Sequence, residues 1–107
     1  MLRVIDQIIE ITTKLRYVID AIARKDADLA RQIRRSWTST AQNAAEGQRQ
    51  RGAKSLNRFD DAMGSGRETH VSLRMAVALG YIDGAPNEAL LERVDGVVAQ
   101  LYRLANP

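Results

Sequence analysis

Almost from end to end, this chain of 107 residues sets apolar side chains at alternating steps of four and three. That spacing lines one side of an α-helix and cannot line one side of a β-strand. In the opening segment Ile5, Ile8, Thr12, Leu15, Ile19 and Ile22 form one seam. Val4, Ile8, Ile11, Leu15, Val18 and Ile22 form a second beside it, so the apolar face is wide. Arg3, Gln7, Glu10 and Lys14 occupy the opposite side, with Glu10 and Lys14 at the favourable i,i+4 spacing. β-strand signals are few.

Polar breaks divide the pattern into four helices. Lys25-Asp26-Ala27-Asp28 ends the first, and Asp26 or Asp28 is suited to cap the second. The second helix is expected from about Leu29 to Gly47, with Leu29, Ile33, Trp37, Thr40, Ala41 and Ala44 on its apolar side. Its small residues permit close helix approach. Gly47-Gln48-Arg49-Gln50-Arg51-Gly52 lacks periodicity and carries two glycines, which predicts the next turn. The third helix shows the strictest heptad, Leu56, Phe59, Met63, Gly66, His70, Leu73, Val77 and Gly80, with Gly80 at or just past its end. Asp83-Gly84 makes the last turn, Pro86 suits a first helical position, and Leu90, Val94, Val97, Leu101 and Leu104 give the fourth helix its seam. The expected fold is all-α, an antiparallel up-down four-helix bundle forming one domain over residues 1–107, since a chain this short has one core.

The apolar surface exceeds what one such core needs. The fourth helix has a second seam at Leu91, Val94, Val98, Leu101 and Ala105, and residues 71–79 are apolar on most sides. A homo-oligomer is therefore expected. The chain has no cysteine, hence neither disulfides nor a thiolate metal site. Charges interrupt Met1-Leu2-Arg3-Val4-Ile5-Asp6, and no stretch of 18 uncharged residues exists, so neither a signal-peptide core nor a membrane span is expected. These features point to a cytoplasmic protein.

Charge is uneven. The net balance is +3, but residues 31–58 hold Arg31, Arg34, Arg35, Arg49, Arg51, Lys54 and Arg58 against Glu46 alone. That local +6 leaves −3 for the rest of the chain, and predicts one basic end. Arg31, Arg49, Arg51, Lys54 and Arg58 are the candidate phosphate contacts. Trp37 and Phe59 lie on apolar seams and are expected in the core, so no aromatic platform accompanies the basic run.

Arg35, Ser39, Asn43 and Glu46 follow i, i+4, i+8, i+11 along the second helix. If the helices fold back near Arg51, Arg35 and Glu68 come to the same level. A structural polar layer is expected, with Arg34 or Arg35 paired to Glu68 and with Asn43 and Glu46 tying up the helix end; the alternative is that this stripe is a binding site. Catalysis finds no support. Glu68-Thr69-His70 spaces its carboxylate and imidazole by two residues, which points them apart on a helix. His70 is expected to be a hydrogen-bonded core or interface residue, and no cofactor, metal or catalytic residue is expected.

Gln32-Ile33-Arg34-Arg35, Ser39, Asn43-Ala44-Ala45-Glu46-Gly47, Ala62-Met63-Gly64-Ser65-Gly66-Arg67-Glu68 and Leu79-Gly80-Tyr81-Ile82 together resemble, in order and spacing, a family of small bacterial four-helix-bundle proteins. It includes proteins encoded in intervening sequences of 23S ribosomal RNA and, more distantly, accessory proteins of diversity-generating retroelements. The resemblance implies a homo-oligomeric ring, five subunits being the leading count. It also implies an RNA or ribonucleoprotein partner such as a reverse transcriptase. The expected function is a non-enzymatic oligomeric scaffold that binds nucleic acid through its basic face. The alternative is a protein-protein interaction or structural module without nucleic-acid binding.

Overall fold

The computed structural model describes residues 3–107; Met1 and Leu2, at the start of the opening segment, lie outside the described residues. Its order is α1 (Val4–Ala23), α2 (Ala27–Arg49), α3 (Gly52–Ala78) and α4 (Gly84–Ala105), with no strand among the described residues. Short connections make sequence neighbours antiparallel, and α1 also packs on α4 to close the bundle. The described chain measures 42 × 26 × 20 Å.

Most of both α1 seams turns inward, with Ile5 and Val18 half-buried at the edges and Thr12 exposed. Val4, Ile8, Ile11, Leu15, Ile19 and Ile22 are all buried. They meet Ile33 and Trp37 of α2, Phe59 and Leu73 of α3, and Val94, Val97 and Leu101 of α4 in one core. Trp37 is buried as expected, and its indole N–H donates to Thr12 Oγ1 at 2.8 Å, which brings that polar seam residue into use. The second seams of α1 and α4 are thus largely absorbed within the monomer: Ile11 is 1% exposed and Val98 9%. Exposed apolar side chains remain on three helices: Ile9 and Tyr17 on α1, Tyr102 and Leu104 on α4, and a stripe on α3 formed by Val71, Met75 and Leu79, each about half exposed.

The α3 seam keeps half of its expected positions and shifts the alternate ones by one residue. Phe59, Gly66 and Leu73 are buried, but Ala62, Thr69 and Ala76 take the places expected for Met63, His70 and Val77. The reason is close approach. A Cβ on Gly66 would stand 3.1 Å from Val98 Cγ2 and 3.5 Å from Thr40 Cγ2, so three helices converge there and small residues win over large ones.

Turn chemistry fixes the ends. Asp26 caps α2, its carboxylate accepting from Leu29 N–H at 2.9 Å. Gly80 has φ +77° and closes α3 with the paired bonds Gly80 N–H to Val77 C=O and Tyr81 N–H to Ala76 C=O. Tyr81 then reaches back, its hydroxyl donating to Asp26 Oδ2 at 3.2 Å, which links the α3–α4 loop to the α1–α2 turn. Partial desolvation, then the Asp26 carboxylate, hold the Tyr81 phenol above its ordinary pKa. Pro86 falls at the third residue of α4 instead of the first, still within the turn whose N–H groups need no helical acceptor. Gly47 is not a turn glycine: α2 continues through it to Arg49, and it is buried under the Phe59 ring. The φ > 0 position at this turn belongs to Gly52, at +61°.

Candidate nucleic-acid interface

The five candidate phosphate contacts do not share one end. Arg31 lies 18 residues before Arg49 on the same helix, about 27 Å away at ~1.5 Å per residue. It belongs to the opposite end of the bundle, where it pairs with Asp28 at 2.6 Å. Arg49, Arg51, Lys54 and Arg58 do gather around the α2–α3 turn. Antiparallel packing adds two cations from the ends of the chain, Arg3 before α1 and Arg103 in the last turn of α4. Both line one groove with Gln48 of α2, over a floor that includes Val4, Gly96 and Ala99. Arg3 and Arg103 are 100 residues apart in sequence, so a linear charge count has no means of adding them to the cluster.

These cations differ in availability. Arg49 is held by Glu46, with Nη2 at 2.8 Å and Nε at 3.3 Å from the same carboxylate oxygen. Hydrogen bonds from Arg49, then from Gln50, hold the Glu46 carboxyl below its ordinary pKa, and the same pairing raises that of Arg49. Asp28 is likewise lowered by hydrogen bonds from Arg31 and then Gln32. Arg58 donates to Asn43 Oδ1 at 3.2 Å. Arg3, Arg51, Lys54 and Arg103 are exposed and carry no ion pair among the described residues. Exposed pairs are weak and exchange readily, so Arg49 keeps some capacity for a phosphate while the four unpaired cations keep all of theirs.

A polar layer does join α2 to α3, built from different atoms than expected. Arg34 pairs with Asp20 of α1 at 3.1 Å, and neither it nor Arg35 makes an ion pair with Glu68. Hydroxyls do the work instead. Ser36 and Thr69 share a buried hydrogen bond of 2.7 Å, and Ser39 and Ser65 one of 2.9 Å. Asn43 Nδ2 donates to the carbonyl and hydroxyl of Ser39, and Ser55 Oγ donates to the Gly47 carbonyl at 2.6 Å. The rungs step regularly along two antiparallel helices. Short hydroxyls suit an interface whose helices approach closely around Gly66, while Arg34, Arg35 and Glu68 stay exposed at its edge. Glu46 does tie up the end of α2, as expected, through Arg49 and Gln50.

Above the Ser36 and Ser39 rungs lies an open groove of about 650 Å³. Arg34, Arg35 and Gln42 line it from α2, Ser65 and Glu68 from α3. Arg35 and Glu68 therefore come to the same region, as their distances from the turn predict, yet remain unpaired. His70 is half-buried beside Arg74 and Asp95, with no hydrogen bond among the described residues; of the two places expected for it, core or interface, the core one belongs to Thr69. Among the described residues no group of three or more His, Cys, Asp or Glu is placed to hold a metal ion. None of the described helices is long and apolar enough to cross a membrane.

The family model described as "23S rRNA-intervening sequence protein" matches residues 1–103. A crystal structure of a protein of unknown function from the S23 ribosomal protein family of Bacteroides thetaiotaomicron superposes with a TM-score of 0.88 at 20% identity. The match covers 98% of this chain and 100% of that one, which establishes a common fold. No curated protein matches.

Proposed function

The chain belongs to the 23S rRNA-intervening sequence protein family, and from that premise we propose that it is a non-catalytic cytoplasmic scaffold that binds RNA through the end of the bundle carrying the α2–α3 turn. The observation that carries this reading is that Arg3, Arg51, Lys54 and Arg103, all exposed and without an ion pair among the described residues, lie at the same end of the bundle as Arg49 and Arg58. Cations so placed bind a phosphate backbone by displacing its counterions, and such binding reads charge and shape more than base sequence. The exposed α3 stripe of Val71, Met75 and Leu79 supports self-association, with a ring of five as the leading count. A ring would repeat the basic end and multiply weak contacts. The partner is RNA itself or a ribonucleoprotein, a reverse transcriptase complex among them.

The test is RNA affinity measured across a salt series. The wild type is expected to weaken steeply with salt. Replacing Arg3, Arg51, Lys54 and Arg103 by Gln should flatten the log–log slope by roughly 3, at about 0.7 per lost single-strand contact. Unchanged affinity and slope would overturn the reading. Saturable binding to an acidic protein, with no RNA retained, would establish the interaction module instead.

A further inference from the structure

We infer that the α2–α3 groove is a base-reading subsite, in which one unpaired guanine nucleotide of an RNA strand sits with its base edge on Glu68 and its phosphate on Arg35. This rests on the RNA-binding reading above and adds sequence preference to it. The groove's 650 Å³ falls within the range of about 300–1,000 Å³ typical of small-ligand sites. The hydroxyls of its floor are already engaged across the helices, Ser36 with Thr69 and Ser39 with Ser65, whereas the charged groups of its rim are not. Recognition therefore falls to the rim. There Arg35 and Glu68 line the same groove without meeting, and each keeps its full hydrogen-bonding capacity. Thr38 and Gln42, exposed on the same rim, supply neutral donors and acceptors for a sugar.

A ligand that satisfies both charged groups needs an anionic end and an end that donates hydrogen bonds. A nucleotide has both. The carboxylate is an acceptor only, with two oxygens side by side, so it prefers a base edge with two adjacent donors. On their Watson–Crick edges adenine, cytosine and uracil each set an acceptor next to a donor. Guanine alone presents N1–H and N2–H together. That edge is free only in an unpaired nucleotide, the form in which RNA sequence is usually read. Arg35 supplies a planar fork of donors matched to phosphate oxygens.

The experiment compares the four nucleoside 5′-monophosphates and inosine monophosphate on the intact protein, by calorimetry or amide shift mapping. Guanosine monophosphate is expected to bind at least tenfold more tightly than the adenosine, cytidine or uridine forms, with perturbations on α2 and α3. Inosine monophosphate, which lacks the N2 amino group, should lose most of that preference. Glu68→Gln should equalise the bases, and Arg35→Gln should weaken all of them together. Both side chains are exposed, and unchanged helicity and melting of the variants will show that the fold is intact. Equal affinity for all bases, no binding of any, or a guanine preference that survives Glu68→Gln would overturn the inference. RNA binding that stays salt-dependent without guanine preference would sink this subsite alone. Guanine preference without RNA binding would sink the scaffold reading and leave the subsite.

Discussion

Replacing Gly47 by Ala sets two effects of similar size against each other, and the structure decides the sign. Glycine inside a helix costs about 1 kcal/mol relative to alanine, so propensity alone predicts a more stable protein. At Gly47, however, a Cβ would lie 2.8 Å from Phe59 Cδ1 and Cε1 and 2.9 Å from Cζ. Carbon atoms in good contact stand ~3.5–4.0 Å apart, so the ring edge would have to retreat by roughly 0.7 Å or more. Phe59 is only 7% exposed and a ring cannot bend, so the displacement passes into the core. Overpacking of this kind costs about 1–3 kcal/mol. The net expectation is a loss of about 1 kcal/mol, or roughly 4 °C in melting temperature for a chain of this size. Gly64→Ala and Gly96→Ala are the controls, since nothing lies within 4 Å of a Cβ at either site. Each should stabilise by about 0.5–1 kcal/mol. Urea and thermal unfolding followed by circular dichroism measure all three. The packing argument fails if Gly47→Ala stabilises as much as the controls do. Phe59→Leu made together with Gly47→Ala should recover part of the loss, because a branched aliphatic side chain can turn aside.

Three further outcomes follow from the same packing. Thr69→Val removes the cross-helix partner of the Ser36 hydroxyl, which keeps its bond to the Ile33 carbonyl, and should cost about 0.5–1.5 kcal/mol, while Ser36→Ala added to it should cost little more, which a double-mutant cycle will read. Tyr81 has a raised pKa in the folded protein, so its contribution is complete below the unfolded value of about 10 and is lost as pH rises through the folded one. Tyr81→Phe should accordingly remove part of the alkaline loss of stability above pH ~10; identical profiles for the two proteins would contradict this. Ile11→Glu and Val98→Glu place a charge on residues buried within one chain, and should unfold the monomer rather than merely dissociate an assembly, as helicity measured beside scattering mass will show.

The sequence by itself determined the elements and their order. Four-three spacing of apolar residues specifies helices, Asp26 and Gly80 mark two of their ends by local chemistry, and short polar breaks force antiparallel neighbours. It also brought Arg35 and Glu68 to one level, since counting residues from a turn is enough for that. Tertiary structure alone decided which face of α3 is buried, because the winning residues are the small ones, Ala62, Thr69 and Ala76, and hydrophobicity does not rank close approach. It also moved Gly47 from a turn to a contact under Phe59, which depends on a ring from another helix. The basic end changed for the same reason. Helix length carried Arg31 away from the cluster, and bundle closure brought Arg3 and Arg103 into it. A linear sequence records which charges lie near one another along the chain; only packing sets which of them share a surface and which are neutralised by a neighbour.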